Sequence, residues 1–87
     1  MYVKIKDYPN YLACDNGLIY SIRKKDFLKS RIDKNGYFKV ILYNKNGGKE
    51  FRTHRLIAEA FISNPNNLPI VNHKDENKQN NKIGNLE

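Results

Sequence analysis

Apolar and polar side chains alternate most clearly in the sequence YFKVILY, residues 37–43. Phe38, Val40 and Leu42 occupy alternate positions, so a strand would place them together on one face. We expect this face to pack on the core. The opposite face combines two tyrosines with Lys39, a pattern typical of a half-exposed sheet, with a DNA-facing surface as the alternative.

Clusters of Asn, Asp and Gly punctuate the first half of the chain. They lie at residues 15–17, 33–36 and 44–48. Such clusters favour tight turns between strands, because glycine and asparagine accept a positive φ. The intervening runs are rich in β-branched and aromatic residues, at 11–14, 18–22, 37–43 and 50–53. We therefore predict four short strands in a small antiparallel sheet.

The period of the pattern changes from a strand to a helix after residue 53. Four apolar residues have the spacing of one helical stripe: Leu56, Ile57, Ala60 and Phe61. Thr53 is the predicted N-cap, and Asn64-Pro65 is the predicted stop. This pattern predicts a short helix that covers the sheet.

The composition points to a polyanionic partner. The 87 residues include 16 Lys and Arg against 9 Asp and Glu, a formal charge of +7 with a pI near 9.6. Such an excess on a small protein favours nucleic acid, and a basic protein without that partner is the alternative. The single cysteine, Cys14, excludes an internal disulfide, and two histidines exclude a structural Cys/His zinc site. No segment has the apolar length of a signal peptide or membrane span, so we expect an intracellular protein.

The last segment, VNHKDENKQNNKIGNLE at residues 71–87, surrounds one histidine with amides and carboxylates. A loop is predicted at 63–69, and the apolar pair Ile70 and Val71 predicts a brief strand leading to His73. Phosphodiester hydrolysis needs a base that works near neutral pH and hard oxygen ligands for a cation such as Mg²⁺. The segment is therefore a candidate hydrolytic site, and a hydrated tail is the alternative.

The pattern VNH.D..K..N...NLE gives this segment a family resemblance. Residues 54–87 resemble the N-terminal and central parts of the HNH homing endonuclease cassette of phage- and intron-encoded nucleases. Residues 8–43 are similar to a small nuclease-associated β module, although its usual opening Trp is absent. The resemblance implies an α+β fold: a small antiparallel sheet with one covering helix, followed by an incomplete ββα-metal hairpin. It also implies a β module at 1–53 and an HNH cassette at 54–87, packed as one unit.

The resemblance implies metal-dependent cleavage of double-stranded DNA in a bacterial or phage-infected cell. His73 corresponds to the general base, and Asn72 to a position that binds Mg²⁺ or Mn²⁺. Asn85 corresponds to the central asparagine, which would hold the His73 ring through a loop hydrogen bond. The remaining polar residues are expected to build the loop through Asx turns rather than bind the metal: Asp75, Asn77, Asn80 and Asn81.

The sequence departs from the family pattern at two places. Glu76 stands where a glycine is usual, and the sequence stops at Glu87, before the helix that carries the third motif residue. We therefore expect an incomplete metal site and impaired activity. The alternative is an inactive HNH remnant that regulates by binding DNA or a protein. An uncovered apolar face on the hairpin would also allow a homodimer; its residues are Ile70, Val71, Ile83 and Leu86.

Basic residues supply the predicted DNA-binding surface. The candidates are Lys24, Lys25, Lys29, Arg31, Lys39, Arg52, Arg55, Lys74 and Lys78. Phosphate contacts position DNA without specifying bases, and no further recognition module is evident, so we expect weak sequence specificity. His54 has two interpretations, a second metal ligand or a histidine that packs locally at the start of the helix.

Overall fold

The computed structural model describes residues 1–62 and 71–86, which form two small antiparallel sheets and one α-helix. The strands are β1 (Tyr2–Ile5), β2 (Tyr8–Cys14), β3 (Ile19–Ser21), β4 (Asp26–Phe27), β5 (Arg31–Ile32), β6 (Phe38–Asn44) and β7 (Gly47–Arg52). They are followed by helix α1 (Thr53–Phe61) and a 3-10 helix (Ile83–Asn85). The α+β prediction is confirmed. None of the described helices is long and apolar enough to cross a membrane.

Each strand pairs with its neighbour in the chain, giving the orders β1-β2-β3-β4 and β5-β6-β7. The four predicted strands are present with shifted ends, as β2, β3, β6 and β7. The prediction of one four-stranded sheet was wrong, because it missed β1, β4 and β5. β4 and β5 have two exposed residues each, and β1 has no buried position, so none carries an apolar face that a pattern could reveal.

The core lies between the sheets and α1. Its buried apolar members are Tyr11, Ala13, Ile19, Val40, Leu42, Leu56, Ile57, Ala58 and Leu86. On β6, Val40 and Leu42 are 4% and 0% exposed, as the alternation predicts, whereas Phe38 is half-buried. The predicted helical stripe faces this core, with Ile57 fully buried and Phe61 partly buried against it.

The start of α1 differs from the prediction. Strand β7 runs directly into the helix, so Arg52 is the N-cap and makes no side-chain capping bond. Thr53 already has helical backbone geometry, and its buried Oγ1 has no hydrogen-bond partner in the described part of the chain. The N-cap prediction for Thr53 was therefore wrong.

The end of α1 is described only as far as Ile62, whose N–H donates to the carbonyl of Ala58 at 2.8 Å. The predicted stop at Asn64-Pro65, the loop at 63–69 and Ile70 of the predicted strand lie outside the described residues. Val71 is described and belongs to no strand.

The C-terminal segment is docked on the N-terminal sheet. The Ile83 N–H donates to the carbonyl of Asp15 at 3.0 Å, in the turn between β2 and β3. Leu86 is 3% exposed, and the short 3-10 helix beside it contacts α1. We expected Leu86 to lie on an uncovered face, and that expectation was wrong because the core of the N-terminal half covers it. A homodimer through this face stays a prediction.

His54 is buried in the first turn of α1, at 3% exposure. Its ring stacks on Tyr37, with centroids 4.8 Å apart and an interplanar angle of 29°. Burial, followed by the proximity of His73, Arg55 and Arg52, lowers the pKa of His54 to about 4. The ring is therefore neutral in the folded protein throughout the range in which an exposed histidine titrates.

Replacing Leu86 tests whether the C-terminal segment is integral to the fold. We expect Leu86→Ala to lower the free energy of unfolding by about 2–5 kcal/mol, because it leaves a cavity in a shared core. The matched control is Leu18→Ala, at a side chain that is 39% exposed, with an expected change within about 0.5 kcal/mol. Urea unfolding measures both. Equal, small effects would show that the segment contributes little to the core.

The buried histidine predicts a pH dependence of stability. Because the pKa of His54 is about 4 in the folded protein, below its ordinary value of 6.5, the unfolded chain binds more protons between these two pH values. The free energy of unfolding should fall by about 3 kcal/mol as the pH drops through this window. Below the window, His54 should contribute little further change. In urea titrations, His54→Phe should remove most of this loss of stability. His73→Gln should keep most of it, because burial lowers the pKa of His54 more than the neighbouring His73 does. An unchanged pH dependence in His54→Phe would contradict this account.

Candidate active site

His73 lies at the point where the C-terminal segment folds back on itself. It forms an isolated antiparallel bridge with Leu86, and the adjacent Lys74 N–H donates to the carbonyl of Asn85 at 2.7 Å. The backbones of His73 and Asn85 are thus brought close together. His73 and Asn85, which lie at opposite ends of the loop, are therefore held together by a few backbone contacts.

Asx hydrogen bonds shape the loop between these residues. Asp75 Oδ1 accepts from the Asn77 N–H at 2.8 Å, and Asn77 Oδ1 accepts from the Gln79 N–H at 3.1 Å. The Asn80 side chain donates to Asp75 Oδ2 at 2.8 Å. Hydrogen bonds from the Asn80 side chain, the Asn77 backbone and the Asn85 side chain lower the pKa of Asp75. Asp75 thus serves as the acceptor that organises the loop.

Asn85 closes this loop with its side chain. Its Oδ1 accepts from the Asp75 N–H at 3.1 Å, and its Nδ2 donates to Asp75 Oδ1 at 2.9 Å and to the Asn80 carbonyl at 2.8 Å. We predicted a loop hydrogen bond through which Asn85 holds the His73 ring. The hydrogen bonds of Asn85 go to the loop, and any effect on the ring is transmitted through it.

The direct hydrogen bond to the ring comes from Asn81. Its Oδ1 lies 2.8 Å from His73 Nε2, and the asparagine is 4% exposed. An amide oxygen can only accept, so Nε2 carries the ring proton and Nδ1 keeps its lone pair. Sequence reasoning assigned Asn81 to the loop. The Asn80-Asn81 pair was the available signal, but a sequence does not tell which of two adjacent amides turns inward.

Two further rings, those of His54 and Tyr37, pack near the His73 ring. The ring centroids of His73 and His54 are 5.0 Å apart, and Tyr37 lies 4.8 Å from His54 and 5.9 Å from His73. His54 is therefore the locally packed histidine of the two interpretations. The sequence placed Tyr37 on a half-exposed sheet face and gave no sign that it would reach the histidines.

Two of the predicted DNA-binding residues, Arg52 and Lys78, pack on the Tyr37 ring. The guanidinium of Arg52 lies 4.6 Å from the ring centroid and Nζ of Lys78 lies 5.0 Å from it. Arg52 pairs with Asp33 at 2.9 Å, and Lys78 donates to the carbonyl of Asn35 at 3.0 Å. Burial raises the pKa of Asp33, but hydrogen bonds from the backbone of Tyr37 and Asn35 and the Arg52 charge outweigh it and give a net lowering. These cations are partly engaged within the protein.

The remaining basic candidates divide by their contacts. Lys39 forms a salt bridge with Glu50 at 3.2 Å. Within residues 1–62 and 71–86, six others are exposed and have no acidic partner: Lys24, Lys25, Lys29, Arg31, Arg55 and Lys74. Among them, Arg55 follows His54 in the sequence and Lys74 follows His73.

Asn72 is the predicted metal-binding residue, and it is exposed beside His73. Its amide offers one hard but neutral oxygen, a donor type that suits Mg²⁺ or Mn²⁺. The described residues contain no group of three His, Cys, Asp or Glu side chains that could hold a metal.

Glu76 occupies a strained position in the loop. Its φ is 63°, in the left-handed region that glycine accepts without a steric cost. This geometry explains why the departure from glycine matters at this residue. The loop still closes, with the Glu76 N–H donating to the His73 carbonyl at 2.9 Å.

Comparisons with known proteins point to a family of endonucleases. No protein-family model matches the chain. It is 49% identical over 78 residues to the uncharacterized HNH endonuclease L245 of Acanthamoeba polyphaga mimivirus, covering 90% of this chain and 24% of that protein. It is 40% identical over 83 residues to the DNA endonuclease I-HmuI of Bacillus phage SP01, covering 94% of this chain and 48% of that protein.

The likeness extends to the structure. A solved structure of I-HmuI, described as DNA binding and cleavage by the HNH homing endonuclease, matches with a TM-score of 0.89 and 39% identity. The match covers 99% of this chain and 50% of that one. The chain thus spans half or less of the relatives it matches. The sequence identity and the structural match show that this chain belongs to the HNH homing endonuclease family.

Proposed function

We propose that the chain provides the base-carrying part of a metal-dependent HNH endonuclease that hydrolyses phosphodiester bonds in double-stranded DNA. The observation that carries this proposal is the 2.8 Å contact between His73 Nε2 and Asn81 Oδ1, which in the neutral ring leaves Nδ1 with the lone pair. The ring sits in a folded-back loop, beside exposed Arg55 and Lys74. Family membership supports the reaction class.

In this proposal, Nδ1 of His73 accepts a proton from the attacking water. Imidazole suits this step because it changes its protonation near neutral pH, and a positioned general base contributes about 10²- to 10⁴-fold to a rate. Tyr37 and His54 pack on the ring and limit its rotation. The neutral His54 beside it avoids placing a second positive charge against the proton that His73 receives.

Asn72 is proposed to hold a divalent cation, Mg²⁺ or Mn²⁺, together with water and phosphate oxygens. When bound, such a cation supplies positive charge to the phosphate and the leaving oxygen. The neutral amide contributes an oxygen without adding charge. It therefore orients the cation more than it determines how tightly the cation binds.

The exposed cations are proposed to hold the DNA backbone. Phosphate contacts of this kind fix the position of a duplex without reading its bases, so this part of the protein alone should have weak sequence specificity. Arg52 and Lys78 are partly committed to Asp33, Asn35 and the Tyr37 ring. They should contribute less to the salt dependence of binding than exposed side chains do.

The first test is nicking of supercoiled plasmid in Mg²⁺ or Mn²⁺. His73→Ala should lower the nicking rate by about 10²- to 10⁴-fold, because it removes the base, and chelation with EDTA should abolish nicking. Gln79→Ala is the matched control, since Gln79 is exposed on the same loop and only its backbone N–H is bonded. It should nick as the parent chain does. Nicking that survives in His73→Ala would refute the proposal, and DNA retention without any nicking would favour a binding protein.

The second test concerns the surface that meets DNA. Lys74→Gln should weaken binding to all duplex sequences alike and make the slope of log affinity against log salt shallower by about 0.9. The control is Lys45→Gln, in the β6–β7 turn at the far end of β6 from Tyr37, about 25 Å away by strand rise. Fluorescence anisotropy over a salt series measures both slopes. Equal effects of the two substitutions would show that Lys74 makes no special contact with DNA.

A further inference from the structure

Asn81 stands between the His73 ring and the turn that joins β2 to β3. We propose that Asn81 is the positioning residue that selects the protonated nitrogen and the direction of the His73 ring, and that the Gly17 turn holds Asn81 in place. This inference rests on the proposed function, because it takes the ring as the base. It concerns the contact of Asn81 with the His73 ring and the packing of Asn81 against the turn that contains Gly17.

The ring needs a partner that chooses between its nitrogens. Packing against the tilted rings of His54 and Tyr37 restrains the His73 ring but does not decide which nitrogen is protonated. The Asn81 Oδ1 does decide, because an oxygen acceptor at 2.8 Å requires a proton on Nε2. Asn81 is 4% exposed, so bulk water competes little for this bond.

Asn85 does not fill this role directly. Its amide oxygen and nitrogen are used by Asp75 and by the carbonyl of Asn80. The hydrogen bond from the Asn85 side chain to the Asn80 carbonyl holds the backbone immediately before Asn81. Asn85 thus positions the loop, and Asn81 positions the ring.

The other side of Asn81 rests on the β2–β3 turn. A Cβ on Gly17 would lie 2.5 Å from the backbone carbon of Asn81, 2.6 Å from its oxygen and 2.8 Å from the nitrogen of Lys82. Such distances are shorter than real contacts, so only glycine permits this approach. The neighbouring bond from the Ile83 N–H to the Asp15 carbonyl anchors the same stretch at 3.0 Å. The turn therefore determines where the Asn81 amide points.

The side chain of Asn81 is tested with two variants of similar size in the 87-residue chain. Asn81→Leu removes the acceptor, and Asn81→Asp keeps an acceptor oxygen. Long-range ¹H–¹⁵N NMR spectra at alkaline pH report which nitrogen of His73 is protonated, independently of cleavage. We expect protonated Nε2 in the parent and in Asn81→Asp, and a mixture of the two neutral forms in Asn81→Leu.

Plasmid nicking is measured on the same variants. Asn81→Leu should lose about 10- to 100-fold in rate, the range typical for residues that orient a functional histidine, and Asn81→Asp should recover most of that loss. Protonation at Nδ1 in the parent chain would overturn the inference. So would Asn81→Leu nicking at the parent rate while His73→Ala is inactive, an outcome that leaves the proposed function standing. If His73→Ala nicks normally, the proposed function fails, and the NMR result alone judges whether Asn81 positions the ring.

The turn is tested with Gly17→Ala against Gly36→Ala. The two glycines have φ values of 88° and 87°, so alanine suffers the same backbone strain at each. A Cβ on Gly36 meets only the side chain of Lys78, at an ordinary 3.7 Å. Gly17→Ala should change the His73 ring signals and lower the nicking rate at least about 10-fold, whereas Gly36→Ala should do neither.

Thermal unfolding accompanies these measurements. Both alanine variants should lose stability, and Gly17→Ala should lose more because the loop must also move. If Gly17→Ala does not fold, the comparison of Asn81→Leu with Asn81→Asp decides the inference. Unchanged His73 signals in a folded Gly17→Ala chain would overturn the part played by the turn.

Discussion

The candidate site depends on a close contact of backbone with backbone. The turn between β2 and β3 lies so near Asn81 and Lys82 that Gly17 has no room for a Cβ. The C-terminal loop has little regular secondary structure of its own, only a single bridge and one short 3-10 helix. Its shape therefore depends on where it is anchored. The Asp15 carbonyl and Leu86 in the core supply anchors that the loop lacks by itself.

The asparagine-rich sequence of the loop serves several distinct purposes. Some of its amides cap local turns, as Asn77 does for the Gln79 N–H. Asn85 ties the ends of the loop together through Asp75. Asn81 points inward and bonds to the His73 ring. A short polar side chain that both donates and accepts can fill each of these positions, which accounts for the composition without assigning every asparagine to metal binding.

The N-terminal sheets contribute directly to the candidate site. Tyr37, just before β6, packs against both histidines and also lies under Arg52 and Lys78. Lys78 therefore joins the C-terminal half to the N-terminal half, whereas Arg52 is paired within the N-terminal half. The exposed cations, Arg55 and Lys74 among them, remain available for phosphates. Net charge predicts a polyanionic partner, but the contacts of each side chain decide which charges can reach it.

The sequence by itself determined the strands with a buried face, the apolar stripe of α1 and the family, and it singled out His73 as the candidate base. Val40 and Leu42, or Leu56 and Ile57, follow periods fixed by backbone geometry, and the motif spacing is equally local. Only the tertiary structure decided which asparagine meets the histidine, which cations are already paired, and that Tyr37 and His54 enclose the ring. These outcomes depend on contacts between residues distant in the chain, such as Gly17 with Asn81. Local periodicity carries no information about such contacts, because they form only when separately folded segments pack against one another.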